Sequence, residues 1–581
     1  AVKSAHHGRG RFSSSVSSWL ESSYGSQPLL RFGKHTLRSC AGVQQGDPLG
    51  PLAFALTIHE LVEKIDQEIP TLRLNSWYLD DGTVCGSPAD LLKAWTLIKE
   101  ACPDLGMEVN ENKCLLYIPP ECDADTNPLP ATIPTTSEGF TLLGSALGPA
   151  PFCKDIVSKR VLKIASLVKR LPDLEDPQME LSLLRSCLAF PKVAFALRTC
   201  PPRYIQEAVQ EFDTHIRDAL VEIVGCPLSD WSMQKASLPH ALGGACLRSA
   251  LAHASAAYLG STQQSRRLQS AILRSAAPLD NPEELAAIED LATRCKRPEW
   301  TAVDTVDCKL DQRSLSRKVD EATLQGLIAG APTTRMKALA QSSTLPHAGD
   351  WLAVVPCPAL GLHIPPQEFR LSLRYWLGAP MGRSSRCSAC GRDADEYGDH
   401  AVGCGGSGER IRRHDLIRDA LFSAAQSAAL APRKEVPSLL SGSRSRPADV
   451  YLPSWFHGRP AALDVRVTSS LQQKTLAHAA VEPGSALATA KAEKVSAHAD
   501  ACNRVGVDFV PLCVEALGGW EEEAEETIKK IGRHQAQRLG TSIGVTVRHL
   551  FQRLAVCLWR GNASLWVTRS VTSAPSIDGQ V

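Results

Sequence analysis

Four residues in one window, Cys387, Cys390, His400 and Cys404, limit what this part of the chain can fold into more than any hydrophobic pattern does. Their spacing is Cys-x2-Cys, then nine residues, then His-x3-Cys. Thiolates and an imidazole suit zinc, which takes four ligands tetrahedrally, and two close pairs joined by a polar loop match a closed structural site. Gly391, Gly398, Gly403 and Gly405 permit the tight bends such a site needs. No ligand position is left open for water, so this zinc is expected to contribute folding free energy rather than catalysis. The competing reading is four unlinked residues in a chain of 19 cysteines. Most of the others read as reduced, buried thiols.

The chain has 581 residues, more than one hydrophobic core can organise, so about three or four domains are expected. A hydrophobic content of 44% with 22% charged residues excludes a disordered polyelectrolyte. The net charge of +1 excludes a uniformly basic coat, though not a local basic groove. No apolar run reaches the roughly 18–20 residues of a membrane span, so no membrane partner is expected, and the Asn562-Ala-Ser564 sequon reads as accidental.

Along the chain, Asp47, Pro48 and the spacing of Leu52, Leu56, Leu61 and Ile65 predict a helix over 47–67. A strand, an Asp-Asp-Gly turn and a second strand follow at 74–86, then a helix at about 88–101, and 139–148 reads as a hairpin edge. Residues 154–330 show helical leucine and alanine periodicity without a fixed repeat. His240 and His253 in this stretch read as packing or surface histidines. Beyond the cysteine cluster, residues 409 to about 515 look α/β, and the last 60 residues look helical.

Asp80 and Asp81 are adjacent carboxylates between apolar strands, a plausible seat for magnesium, with a solvated hairpin turn as the alternative. Their surroundings decide. Tyr78-Leu79-Asp80-Asp81 resembles the YxDD metal box of a reverse transcriptase, Gln45-Gly46-Asp47-Pro48-Leu49 its template- and nucleotide-supporting loop, Gly106 through Lys113 the element with a proton-donating lysine, and Phe140 through Gly144 the primer-grip hairpin. The resemblance implies that Asp80 and Asp81 ligate magnesium, Lys113 protonates pyrophosphate, and Gln45 and Gly46 contact nucleotide. It also implies a third, upstream aspartate, yet residues 1–46 contain none. The chain therefore reads as N-terminally truncated, and the expectation is that it makes no DNA.

Downstream, Arg410, Arg413 or His414, and Arg418 can share a broad face of one helix, a candidate phosphate-contacting surface. Residues 463–468 alternate, with Leu463, Val465 and Val467 on one face and Asp464, Arg466 and Thr468 on the other. Asp449 leads into the preceding strand. Two acids on neighbouring strands with a cation nearby form a metal-dependent phosphodiesterase arrangement. This resembles the restriction-like PD-(D/E)xK nuclease found behind a CCHC knuckle in site-specific non-long-terminal-repeat retrotransposons. On that resemblance Asp449 and Asp464 are metal ligands and Glu435 assists them. Arg466 stands where the family's lysine is expected, so a lysine on the following helix, Lys494 with Lys491 as second choice, takes that role. Glu515 reads as structural.

The fold expected is multidomain α+β and α/β: a partial right-hand polymerase palm (1–150), a helical thumb and linker (151–370), a CCHC zinc knuckle (371–408), a restriction-like α/β nuclease core (409–530) and a helical C-terminal tail (531–581). The function it implies is a retrotransposon reverse transcriptase and endonuclease polyprotein that nicks DNA with Mg2+ or Mn2+, carries Zn2+, handles a DNA target and the element's RNA, and works in the nucleus. The alternative is a catalytically inactive, zinc-stabilised nucleic-acid-binding remnant.

Overall fold

The computed structural model describes residues 14–25, 29–39, 42–122, 127–273, 281–406, 408–437, 439 and 447–569. The chain is a mixture of helices and short sheets in two compact units. One comprises residues 1–153 with 262–281, the other residues 154–261 with 282–581. Among the described residues, no helix is long and apolar enough to cross a membrane.

The first unit begins with α1 (Ser14–Tyr24) and a hairpin of β1 (Leu29–Phe32) and β2 (His35–Arg38). Helix α2 (Gly50–Glu68) starts three residues later than the sequence suggests. Asp47 accepts the Leu49 N–H at 2.9 Å, so it closes the turn before the helix rather than capping it. Strands β3 (Leu74–Tyr78) and β4 (Asp81–Cys85) pair antiparallel, with Tyr78 opposite Asp81. Helix α3 (Pro88–Ala101) is capped by Ser87, whose hydroxyl accepts the Asp90 N–H. Leu61, Ile65, Ile69, Ala94 and Cys102 form the core between α2 and α3, and Trp77 and Val84 pack on it. Strands β5 (Leu116–Tyr117) and β6 (Thr135–Thr136) pair parallel, and the expected hairpin is β7 (Phe140–Leu142) with β8 (Ser145–Leu147).

From Ala150 to Leu377 the described regular structure is helical, as the periodicity predicts. Two of these helices matter below: α4 (Thr334–Ser342) and α5 (Pro366–Leu377). Helix α5 runs through residue 370, so the expected boundary between linker and knuckle falls inside a helix. The cysteine cluster sits on the hairpin β9 (Ser385–Arg386) and β10 (Asp393–Ala394) and on α6 (Asp399–Gly403).

Helix α7 (Glu409–Ser427) then leads into a four-stranded sheet of order β11 (Arg433–Lys434), β12 (Val450–Leu452), β13 (Ala461–Thr468), β14 (Asp508–Glu515). The first three strands pair antiparallel, and β13 pairs parallel with β14 across the connecting helix α8 (Ser485–Arg504). Helices α9 (Glu522–Leu539) and α10 (Ile543–Thr568) complete the unit. Leu463, Val465, Leu512 and Val514 on the sheet pack with Ile417 and Leu421 of α7, Ile528 and Ile531 of α9, and Leu554 and Leu558 of α10. The expected boundary at 530 therefore cuts α9, and α10 is a core element instead of a tail. Asn562 of the sequon is buried in α10, donating to Ala516 O at 2.8 Å and accepting from Arg413 at 2.8 Å.

Candidate metal centres

The donor atoms of Cys387, Cys390, His400 and Cys404 all lie within 4.8 Å of one another. Zinc–sulfur bonds of about 2.3 Å at tetrahedral angles place two sulfurs about 3.8 Å apart. Cys387 Sγ and Cys404 Sγ are 3.8 Å apart, and Cys390 Sγ lies 3.3 Å from His400 Nε2. Burial works against the Cys404 thiolate, but the Gly406 N–H, Arg569 and the neighbouring thiols bring its pKa down to about 6. Donor chemistry and spacing thus fit zinc.

The rest of the second unit holds this cluster in place. Asp395 accepts the N–H groups of Tyr397, Asp399 and His400, at 2.7 Å for His400, which fixes the turn into α6. Arg335 of α4 grips Asp399 in two hydrogen bonds of 2.6 and 2.9 Å, next to His400. Trp566 of α10 donates to Gly398 O at 3.1 Å, and a Cβ at Gly398 would lie 2.9 Å from that indole. Gly398 has φ +82°, so both backbone and packing demand glycine there. Buried Arg569 donates to Cys404 O at 3.3 Å.

The second cluster is built by strand register. The antiparallel pairing of Val450 with Leu463, continued by one residue, sets Asp449 opposite Asp464. The Asp449 N–H donates to Leu463 O at 2.9 Å, extending the ladder. Asp449 Oδ2 accepts the Val465 N–H at 2.7 Å and lies 2.9 Å from His414 Nε2. Lys494 Nζ of α8 lies 2.7 Å from Asp464 Oδ2. Burial pushes the Asp464 pKa up to about 6; Lys494 opposes this and Asp449 adds to it. Burial also disfavours the charge on Asp449, but the hydrogen bond and charge of His414 and the Val465 N–H hold its pKa below the usual value. His414 is raised in turn by its bond to Asp449, against the effect of burial. Two facing carboxylates supply the oxygen donors that a hard divalent cation takes.

Of the two lysines considered, the fold brings Lys494 to Asp464 and sends Lys491 to Glu521 and Glu523, at 2.8 and 2.9 Å. Arg466 pairs with Glu493 of the same helix. Glu435 lies beside the cluster's entry strand: its N–H donates to Asp449 O at 3.3 Å, and its carboxylate pairs with Arg418. Arg418 also meets Asp415 and Asp419, each at 2.9 Å, so its guanidinium is committed to carboxylates. Arg413 corrects the proposed phosphate surface. It is buried against α10, where Gly561 leaves room for it, and burial lowers its pKa to about 10. Arg410 is exposed. His414 is the residue whose place the sequence left undecided. Arg410, His414 and Arg418 recur every four residues and so share a helix face, which is the signal that points to it.

In the first unit, Asp80 and Asp81 are exposed at the tip of the β3–β4 hairpin. Leu79 before them takes φ +57°, unusual for a side chain of its size. Gly82 after them is required, since a Cβ there would lie 2.8 Å from the Trp77 ring. Gln45 and Gly46 form an exposed turn ahead of α2, and Lys113 is exposed on the short helical turn Glu111–Lys113. In the second unit His253 is buried, with Nε2 3.3 Å from Asp320, and His240 meets Arg185 at 3.1 Å, so both are packing histidines.

Residues 8–147 match the family of reverse transcriptases (RNA-dependent DNA polymerases). The chain is also similar to the retrotransposable element SLACS 132 kDa protein of Trypanosoma brucei gambiense, 26% identical over 217 residues, which is 37% of this chain and 18% of that protein. It therefore spans less than a fifth of that relative's length. The loop Gln45–Leu49, the Tyr78–Asp81 box and the Phe140–Gly144 hairpin all fall within the matched region. Residues 8–147 are thus similar to reverse transcriptases, and part of the chain is similar to a retrotransposable element protein.

Proposed function

We propose that the second unit is a restriction-like endonuclease that nicks DNA, and that it works beside the reverse transcriptase segment in the mobilisation of a retroelement. The observation that carries this reading is the cluster Asp449, Asp464 and Lys494, assembled from two adjacent strands and the helix that follows them. Magnesium or manganese held by Asp449 and Asp464 would polarise the phosphate and activate the attacking water. Lys494, beside Asp464, adds positive charge where the phosphate gains negative charge in the transition state. Arg418 fixes Glu435 near the entry strand, and exposed Arg410 faces solvent for a phosphate contact.

In this reading residues 1–150 supply a partial palm with Asp80 and Asp81 as metal ligands and Lys113 as proton donor. The following helices serve as thumb and linker. Ser385 to Cys404 form the zinc knuckle, and the nuclease extends from Glu409 through α10. The partners are a DNA target and the element's RNA, and the place of work is the nucleus.

The test is nicking of supercoiled plasmid with magnesium or manganese, comparing the parent with Asp464→Ala at equal zinc content. Nicking by the parent that vanishes in the variant supports the nuclease. Absence of nicking by the folded, zinc-loaded parent overturns it.

A further inference from the structure

Nothing in the proposed chemistry yet uses His414, although it is the side chain that α7 delivers to the carboxylate pair. We infer that His414 is a positioning residue for the metal site: it holds the Asp449 carboxylate in the orientation in which a divalent cation can bind. The inference rests on the nuclease reading and assigns a further residue to that site.

The geometry is specific. The Asp449 backbone is fixed on both sides, its N–H donating to Leu463 O at 2.9 Å and its carbonyl accepting the Glu435 N–H at 3.3 Å. The side chain still has its own torsions, and two donors restrain them. The Val465 N–H at 2.7 Å and His414 Nε2–H at 2.9 Å both donate to Oδ2. Both bonds fall on one oxygen, Oδ2, and so fix how the carboxylate is turned toward Asp464. Without His414 only the Val465 N–H would donate to Oδ2, and repulsion from the facing Asp464 would favour turning the group away. Hydrogen-bonding partners of ligating carboxylates characteristically affect metal affinity or activity by about 10–100-fold.

His414 is well suited to this role because its removal should leave the fold intact. Helix α7 is anchored by Ile417, Leu421, Ala424 and Ala425 in the sheet core, whereas His414 is only partly buried at the helix edge. The imidazole reaches Asp449 from the helix face it shares with Arg410 and Arg418, and Nδ1 is 3.4 Å from Asp415.

The experiment uses the full zinc-loaded chain as parent, His414→Ala and His414→Gln. Glutamine keeps an N–H donor at similar reach. Manganese binding without DNA is followed by electron paramagnetic resonance, and nicking is measured across a manganese titration. His414→Ala should weaken manganese binding and raise its half-saturating concentration in nicking by about 10–100-fold. The rate at saturating manganese should stay within a few-fold of the parent, and His414→Gln should recover most of the loss. Unchanged manganese affinity in His414→Ala, or a nicking defect that saturating manganese does not relieve, overturns the inference while the nuclease reading stands. A parent that neither binds manganese nor nicks overturns the nuclease reading and this inference with it.

Discussion

Two pairs of aspartates, one in each unit, are built in opposite ways. Asp80 and Asp81 are neighbours in sequence at an exposed hairpin tip, and among the described residues neither carboxylate has a hydrogen bond or ion pair. Asp449 and Asp464 are fifteen residues apart and meet only because β12 and β13 pair in one register. Water solvates the first pair, so its two charges coexist at little cost. The second pair is largely withdrawn from water, and His414, the Val465 N–H and Lys494 offset that cost. A site that can be read as a short motif needs little of its fold to form. A site that must be assembled depends on its whole surroundings.

The largest expected effect tests that dependence at Lys494. Lys494→Ala removes the cation from beside Asp464 and should slow nicking by about 10²–10³-fold, whereas Lys491→Ala, whose partners are Glu521 and Glu523, should stay within a few-fold of the parent. Equal losses in single-turnover nicking would break the distinction between the two lysines. Next comes the scaffold. Trp566 is fully buried and joins α10 to Gly398 in the cysteine cluster. Trp566→Ala should cost about 3–5 kcal/mol in denaturant unfolding and release zinc in parallel. Zinc retained at full stoichiometry after that destabilisation would show that knuckle and nuclease are independent.

Much of this was legible in the sequence where the signal is local. The spacing of the cysteines and histidine gave the first cluster, and alternation over 463–468 gave the face of β13 that enters the core. Pairing between strands is non-local, so the sequence could name Asp449 and Asp464 without showing that they face each other. The preference for Lys494 over Lys491 has a helical reason: Lys494 continues the row Ala486, Ala490 and Cys502 that α8 buries. Arg413 was misplaced for a related reason. An arginine reads as surface until a partner such as Asn562, and a glycine such as Gly561, make room for it inside. The cap expected from Asp47 failed because the turn before α2 uses that carboxylate first.

A third prediction concerns pH and extends the cost of assembly to Glu515, at the end of β14. It is fully buried, and its carboxylate accepts the Ser470 N–H at 2.8 Å just beyond β13. Burial raises its pKa to about 7, with the Ser470 hydrogen bonds opposing. The folded chain thus binds this proton more tightly than the unfolded chain does, so the contribution is fully present below about pH 4.5 and is lost as pH rises through about 7. Glu515→Gln should remove up to about 3 kcal/mol of that decline between pH 4.5 and 7. Parallel stability curves for parent and variant across that window would show that Glu515 keeps its charge in the fold.

The smallest expected effect belongs to the exposed pair and sharpens the comparison most directly. Asp80→Ala should change stability by no more than about 0.5 kcal/mol, because surface substitutions away from caps, strained residues and buried partners rarely do more. Its neighbour would gain slightly, since removing one of two adjacent negative charges relieves their repulsion, and that gain should shrink as salt is added. Gly82→Ala, two positions on, is the control for the hairpin itself: the added methyl would lie 2.8 Å from the Trp77 ring, so it should cost clearly more than Asp80→Ala. Urea unfolding at low and high salt separates these outcomes. A loss above about 1 kcal/mol for Asp80→Ala would mean that the first pair, like the second, is held by contacts that matter to its fold.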